Sequence, residues 1–345
     1  MAAPKIEATE TVAIVGALGT QGGSVIRWLK SSPITSQWKI RALTSSPQSD
    51  SARILGEEAN ISIVYCDVND LKTIRTMFDK GQKAGEELEN SQGLNLMRAA
   101  AETKTLKHLV WSTLPDSNVI SQGRWKVPHF MSKQAANAYI LGGYTGYDED
   151  RGWGTLKDKC TLMSIGVYGS NFRNHLYRPI KKDGSDDYVI QLPCRPDVPF
   201  SIAGDESENV GIMVRAIFEQ PDKSIGTWVS CESERISCRQ WVACLGAAAK
   251  SQGVQKSVTF EECTIQSLEE SWGILGNEIG QMMAYISETE GRAFENTSGL
   301  PEINASHLGV QTELVSVNVF YENLDCVALL REVDDGKKVM GTASR

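Results

Sequence analysis

One glycine turn constrains this chain more tightly than anything else in it. Thr11-Val12-Ala13-Ile14-Val15 is an apolar, β-branched run that passes through Gly16-Ala17-Leu18-Gly19-Thr20-Gln21-Gly22-Gly23 into Ser24-Val25-Ile26-Arg27-Trp28-Leu29-Lys30. The last stretch has helical periodicity, so a strand, a tight turn and a helix start follow one another directly. Free N–H groups and the positive end of the helix dipole then face outward, and the missing side chains let an anion come close to the backbone. Such an arrangement holds a dinucleotide pyrophosphate. The glycines fall as Gly16-x-x-Gly19-x-x-Gly22.

The pattern that follows predicts a parallel sheet. Residues 38–44 and 61–67 read as the second and third strands, and residues 108–114, 160–168 and 226–231 as later ones. Helical patterns separate them over 51–56, 70–78 (with Asp70 as N-cap), 86–101, 207–218, 239–246 and 275–286. Strand–helix alternation at this pitch predicts an α/β fold, a doubly wound parallel Rossmann sheet covered on both faces. Residues 1–170 are expected to form this core. Residues 171–345 are expected to form a smaller α+β substrate region that packs on the core and contributes elements to it. A doubly wound sheet needs a fourth strand beside the first. Residues 79–101 hold no β-run, so that strand is missing. Residues 12–15 are apolar throughout, which predicts burial on both faces and ladder partners on both edges. Residues 108–114 either pair with them or leave a slot.

Composition narrows the functions. The 345 residues carry a formal net charge of −8, which argues against direct nucleic-acid binding. No run approaches the ~18 apolar residues of a membrane helix, and the N-terminus lacks the apolar core of a signal peptide. A cytoplasmic protein is expected, or a nuclear one if it is a regulator. The eight cysteines include no Cys-x-x-Cys, which fits reduced thiols. Cys66, between Tyr65 and Asp67 at a strand end, is a minor candidate for a redox role. The four histidines have no metal-ligand spacing, so no metal is expected.

Several segments together resemble the NmrA-like branch of the atypical short-chain dehydrogenase/reductases, near the isoflavone-reductase-like enzymes. They are the glycine turn, Arg41-Ala42-Leu43-Thr44, Asp67-Val68-Asn69-Asp70, Gln92-Gly93-Leu94-Asn95-Leu96, His108-Leu109-Val110-Trp111-Ser112, Val127-Pro128-His129-Phe130-Met131-Ser132-Lys133, Tyr168-Gly169-Ser170-Asn171-Phe172 and Asn209-Val210-Gly211. The resemblance implies an NADP(H)- or NAD(H)-binding core. It implies cofactor contacts at Gly16, Ala17, Leu18, Gly19, Thr20, Gln21, Gly22, Thr44, Ser45, Asp67, Val68, Ser112, Lys133, Tyr168 and Asn171. Lys133 and Tyr168 are the implied catalytic residues: the lysine binds nicotinamide ribose or aids proton transfer, and the tyrosine orients substrate or donates a proton.

Four departures from the family pattern bear on function. Ser45 and Ser46 stand where members carry an arginine for the adenosine 2′-phosphate, so NADP is only weakly preferred over NAD. His129 occupies the place of the tyrosine in Tyr-x-x-x-Lys. The missing strand belongs to the segment that touches the nicotinamide-side ribose. Residues 142–159 are longer than the usual connection and read as a substrate lid or a plain insertion. The resemblance implies an NAD(P)H-dependent oxidoreductase reducing a small C=O, C=N or C=C substrate, with a fungal, secondary-metabolic character. The alternatives are a non-catalytic dinucleotide-binding redox sensor that docks a transcriptional partner, and a deletion product without activity.

Overall fold

The computed structural model describes residues 10–66, 82–143, 156–174 and 176–334. Strands β1 (Thr11–Val15), β2 (Lys39–Thr44) and β3 (Ile61–Tyr65) form a parallel sheet with β2 in the middle. Helix α1 (Thr20–Ser31) follows β1, and α2 (Asp50–Gly56), capped by the Ser49 hydroxyl, follows β2. A second parallel sheet runs β4 (Leu109–Thr113), β5 (Cys160–Ile165), β10 (Trp228–Cys231), β13 (Glu302–Asn304). The α/β class with parallel strands is as expected.

The two sheets are halves of one interrupted sheet. No described strand pairs with the free edge of β1 or of β4. Of the two expected outcomes, direct pairing is not found among the described residues. Residues 82–102 are helical, as α3 (Gln82–Glu102). An ion pair between Glu10 and Lys107 links the segments that lead into β1 and β4.

Two helices span the break. Helix α1 packs closely on α7 (Glu206–Glu219), because Gly211 leaves no room for a Cβ, which would sit 2.3 Å from the Ser24 carbonyl oxygen. The Ser24 hydroxyl accepts from Gly211 N–H at 2.8 Å, and Glu208 accepts from the Trp28 indole at 2.8 Å and from Arg27 at 2.9 Å. Beneath this pair one apolar core takes in Val12, Ile14 and Ile40 from the first half and Met163, Ile165 and Val229 from the second.

The opposite face is covered differently. Helices α3 and α6 (Gln134–Leu141) bury Met97, Ala136 and Ile140 against Leu162 and Trp228 of the second half only. In β1, Val12 and Ile14 are buried while Ala13 and Val15 are exposed. The expectation of burial on both faces is therefore corrected: among the described residues only one face of β1 is covered.

The remaining elements form the C-terminal region. Strand β6 (Val167–Tyr168) pairs with β9 (Pro199–Gly204), which also pairs with β11 (Glu234–Ser237). Strand β8 (Tyr188–Leu192) lies between β7 (Ile180–Lys181) and β12 (Val258–Glu262). Helices α9 (Cys238–Ser251), α10 (Ile265–Glu288), α11 (Val317–Asn323) and α12 (Cys326–Asp334) surround a core built on Trp241, Phe172 and Tyr321. Three one-turn helices, α4 (Ser117–Ile120), α5 (Pro128–Met131) and α8 (Pro221–Ser224), complete the chain's connections.

Candidate dinucleotide site

The glycine turn has the geometry that an anion needs. Gly16 adopts φ +66°, in the left-handed region that favours glycine. A Cβ on Gly22 would lie 2.4 Å from the Gly16 carbonyl oxygen and 2.7 Å from Ala17 Cα, so the helix start can only seat against the strand end without a side chain there. Gly19 is the N-cap of α1, with φ −83° and no side-chain capping bond. The positive φ thus belongs to Gly16 and not to Gly19. Gly16, Gly19 and Thr20 are exposed, Leu18 and Gln21 are half-buried, and Ala17 and Gly22 are buried. The first turn of α1 carries no acidic residue. An uncapped, acid-free helix start beside a turn without side chains is a cradle for phosphate.

The second strand ends beside this turn. Ala17 N–H donates to the Leu43 carbonyl at 3.3 Å, and the buried Thr44 hydroxyl accepts from Ser46 N–H at 3.1 Å. Ser45 is exposed at the strand end. Asp67 and Val68 lie outside the described residues, as do Asp70 and most of the 142–159 connection. Ser112 is half-buried on β4, in register with Met163 of β5.

The structure brings Tyr168 and Gln21 together across 147 positions: the Gln21 amide donates to the phenolic oxygen. Burial pushes the Tyr168 hydroxyl above the usual phenol range, and the Glu206 carboxylate adds to this while the Gln21 bond works against it. The tyrosine is held neutral. Glu206 itself is buried at the first turn of α7, where desolvation raises its pKa and hydrogen bonds from the Ser170 hydroxyl and N–H oppose the rise. The segment after Tyr168 is fixed from the C-terminal region. Tyr321 donates to the Gly169 carbonyl at 2.6 Å and accepts from the Trp241 indole at 2.8 Å. Asn171 sits half-buried in the 3-10 turn Gly169–Arg173.

Lys133 is engaged elsewhere. Its ammonium pairs with Glu89 of α3, and the neighbouring Ser132 hydroxyl donates to the other oxygen of the same carboxylate at 2.5 Å. Its recorded polar partner is therefore Glu89, not Tyr168. His129, which replaces the family tyrosine, turns to α10 and meets Glu278 at 3.1 Å and the Met282 sulfur at 3.2 Å. Glu89, Glu206 and Tyr321 were not foreseen. Glu206 sits in the acidic run Asp205-Glu206, which reads as ordinary first-turn charge. Glu89 and Tyr321 lie far in sequence from the groups they hold, and no local pattern marks them.

Comparison with known proteins places this geometry. The model of the NmrA-like family matches residues 8–325. The chain belongs to the NmrA-like family. This NmrA-like protein is 26% identical over 296 residues to an NmrA-like family domain-containing protein of Dictyostelium discoideum, covering 82% of this chain and 89% of that one. It is 25% identical over 264 residues to the nitrogen metabolite repression protein nmrA of Emericella nidulans, covering 73% of this chain and 67% of that protein. Its fold resembles the crystal structure of NmrA, a negative transcriptional regulator, with TM-score 0.67, 19% identity and coverage of 94% and 98%. It also resembles an isoflavone reductase, with TM-score 0.59, 12% identity and coverage of 92% and 99%. NmrA has been crystallised with NADP and with NAD. Among the described residues no helix is long and apolar enough to cross a membrane.

Proposed function

We propose that this NmrA-like protein binds NADP(H), with NAD(H) as a second ligand, and that occupancy of the site is its output. One observation carries the binding: the turn around Gly16 and Gly22 excludes side chains and presents an uncapped, acid-free helix start. In this reading the pyrophosphate lies on the first turn of α1, and Thr44 and Ser45 flank the adenosine ribose. The sensor reading is supported by the state of the two expected catalytic groups. Lys133 is paired with Glu89, and Tyr168 is half-buried, neutral and bonded to Gln21. Such a protein would act through a macromolecular partner, which fits its likeness to NmrA, a negative transcriptional regulator.

A second reading is a reductase of a small C=O, C=N or C=C substrate. The Ser132–Glu89–Lys133 cluster favours it, because an ammonium joined to a half-exposed carboxylate can pass on a proton and be reloaded. Bound NADPH would supply the hydride. Calorimetry separates binding from its absence. Gly19→Val places a side chain over the helix start with an allowed backbone, so the fold should survive while NADPH affinity falls beyond detection; wild-type affinity in this variant would remove the site. Incubating NADPH with a panel of quinones, enones, imines and aldehydes should give no turnover. Turnover that disappears in Lys133→Ala would replace the sensor with the reductase.

A further inference from the structure

A cavity of about 240 Å³ lies at the C-terminal ends of β5 and β10. Ser164 and Ser230, register partners on these two strands, both line it. In a parallel ladder partnered residues point to the same face. The Ser230 side chain marks that face, since its hydroxyl donates to Glu302, another wall residue, at 2.6 Å. Ser164 therefore points to the cavity side. It is only 4% exposed, and its hydroxyl has no hydrogen-bond partner among the described residues. A buried hydroxyl without a partner costs about 1–3 kcal/mol, so a ligand group able to exchange a hydrogen bond with it is favoured there.

Charge at the mouth gives the rest of the specificity. Glu232 is offset by Arg235, whose guanidinium lies 3.6 Å away and also donates to the Gly291 carbonyl at 2.6 Å. Glu295 and Glu302, both exposed at the rim, have no cationic partner among the described residues. The rim thus attracts a cation. No group of three or more His, Cys, Asp or Glu side chains among the described residues is arranged to hold a metal ion. A cation whose charge sits at one end of a short chain fits better: its ammonium stays at the wet rim, its methylenes lie along the buried Phe294 ring, and its far end reaches Ser164. The volume is below the range of drug-sized ligand pockets, which limits the guest to a few heavy atoms.

We propose that this cavity binds a short aliphatic amine with a hydroxyl terminus, with Glu295 and Glu302 holding the ammonium and Ser164 the hydroxyl. The proposal uses none of the residues assigned to the dinucleotide and does not rest on that reading. It is tested on the full chain by calorimetry with 4-amino-1-butanol, against 1,4-butanediol (no charge), 4-hydroxybutyrate (opposite charge) and butylamine (no hydroxyl). The aminoalcohol should bind saturably. The diol and the acid should not, and butylamine should bind about tenfold more weakly, the scale of one hydrogen bond. The double variant Glu295→Gln/Glu302→Gln should lose binding. Ser164→Ala should bring the aminoalcohol down to butylamine's affinity and leave butylamine unchanged. Absence of saturable binding at about 10 mM aminoalcohol, a scale corresponding to very weak affinity, overturns the proposal. So does equal binding of the diol or the acid, or retained binding in the double variant. NADPH titrations of the same variants report on the other site, and they should match wild type.

Discussion

At the scale of single residues, hydrogen-bond direction fixes a protonation state. The Thr161 hydroxyl donates its one hydrogen to the Ser224 carbonyl at 2.7 Å, so His108 Nε2, 2.8 Å from the same oxygen, must be the donor. His108 is then the neutral Nε2–H tautomer, edge-on to Phe218, and burial lowers its pKa to about 4. The unfolded chain takes up this proton near the ordinary value of 6.5, before the folded one does. Stability is therefore complete above pH 6.5 and falls as the pH drops to about 4, by about 2–3 kcal/mol from this group. Thermal melts across that range should show the loss, and His108→Gln should flatten the profile by that amount; an unchanged profile would place the titration elsewhere. Two glycines of the turn should also part company. Gly22→Ala forces its Cβ against the Gly16 carbonyl and should lower stability by about 1–3 kcal/mol, read as a drop in Tm. Gly19, with its extended backbone and a nearest contact of 3.3 Å, should keep the melting temperature while binding is lost.

At the scale of elements, α3 determines what Lys133 can do. Its carboxylate at Glu89 takes up the ammonium just before α6 begins. Glu89→Gln removes the charge and leaves Lys133 free for a ribose hydroxyl. With Glu89 40% exposed, the pair contributes at most about 1 kcal/mol of stability, so the fold should be unaffected. NADPH affinity should rise by about two- to fivefold in calorimetry, and an unchanged affinity would put Lys133 outside the dinucleotide's reach. Elements differed in how far the sequence exposed them. The β1–turn–α1 unit was legible because strand period, glycines and helix period change within a dozen residues, and α7 because its buried stripe alternates with charge. The helix expected over residues 275–286 is present beyond Gly273, whose non-helical backbone at φ +62° separates it from a further helical stretch that begins at Ile265 and carries no comparably clear apolar stripe. Strands β8 and β9 went unread. Tyr188-Val189-Ile190 and Phe200-Ser201-Ile202 are buried on both faces, so they lack the alternation that marks a half-exposed strand. The Gln21–Tyr168 contact was invisible because nothing in either segment encodes the other.

At the scale of the whole molecule, the interruption beside β1 is the property that sets this chain apart from an ordinary doubly wound sheet. Strands β1 and β4 each have one unpaired edge among the described elements, whereas β2 is paired on both sides. Unpaired backbone groups exchange their hydrogens more readily than groups in a closed ladder. Native-state exchange should therefore show some β1 and β4 amides exchanging well before those of β2 and β5, and NADPH should protect β1 in particular. Uniform protection across the four strands would mean that the edges are covered. The break also has a mechanical side. In a continuous ladder, a displacement of one strand is passed sideways from hydrogen bond to hydrogen bond. Here that path stops at β1, and the described routes across are the α1–α7 clasp with the core beneath it, the Glu10–Lys107 ion pair and the Gln21–Tyr168 bond. One of these joints, Gln21–Tyr168, leads on to Gly169 and Tyr321, so the C-terminal region is coupled to the glycine turn through a lever of few joints and not through a stiff plate.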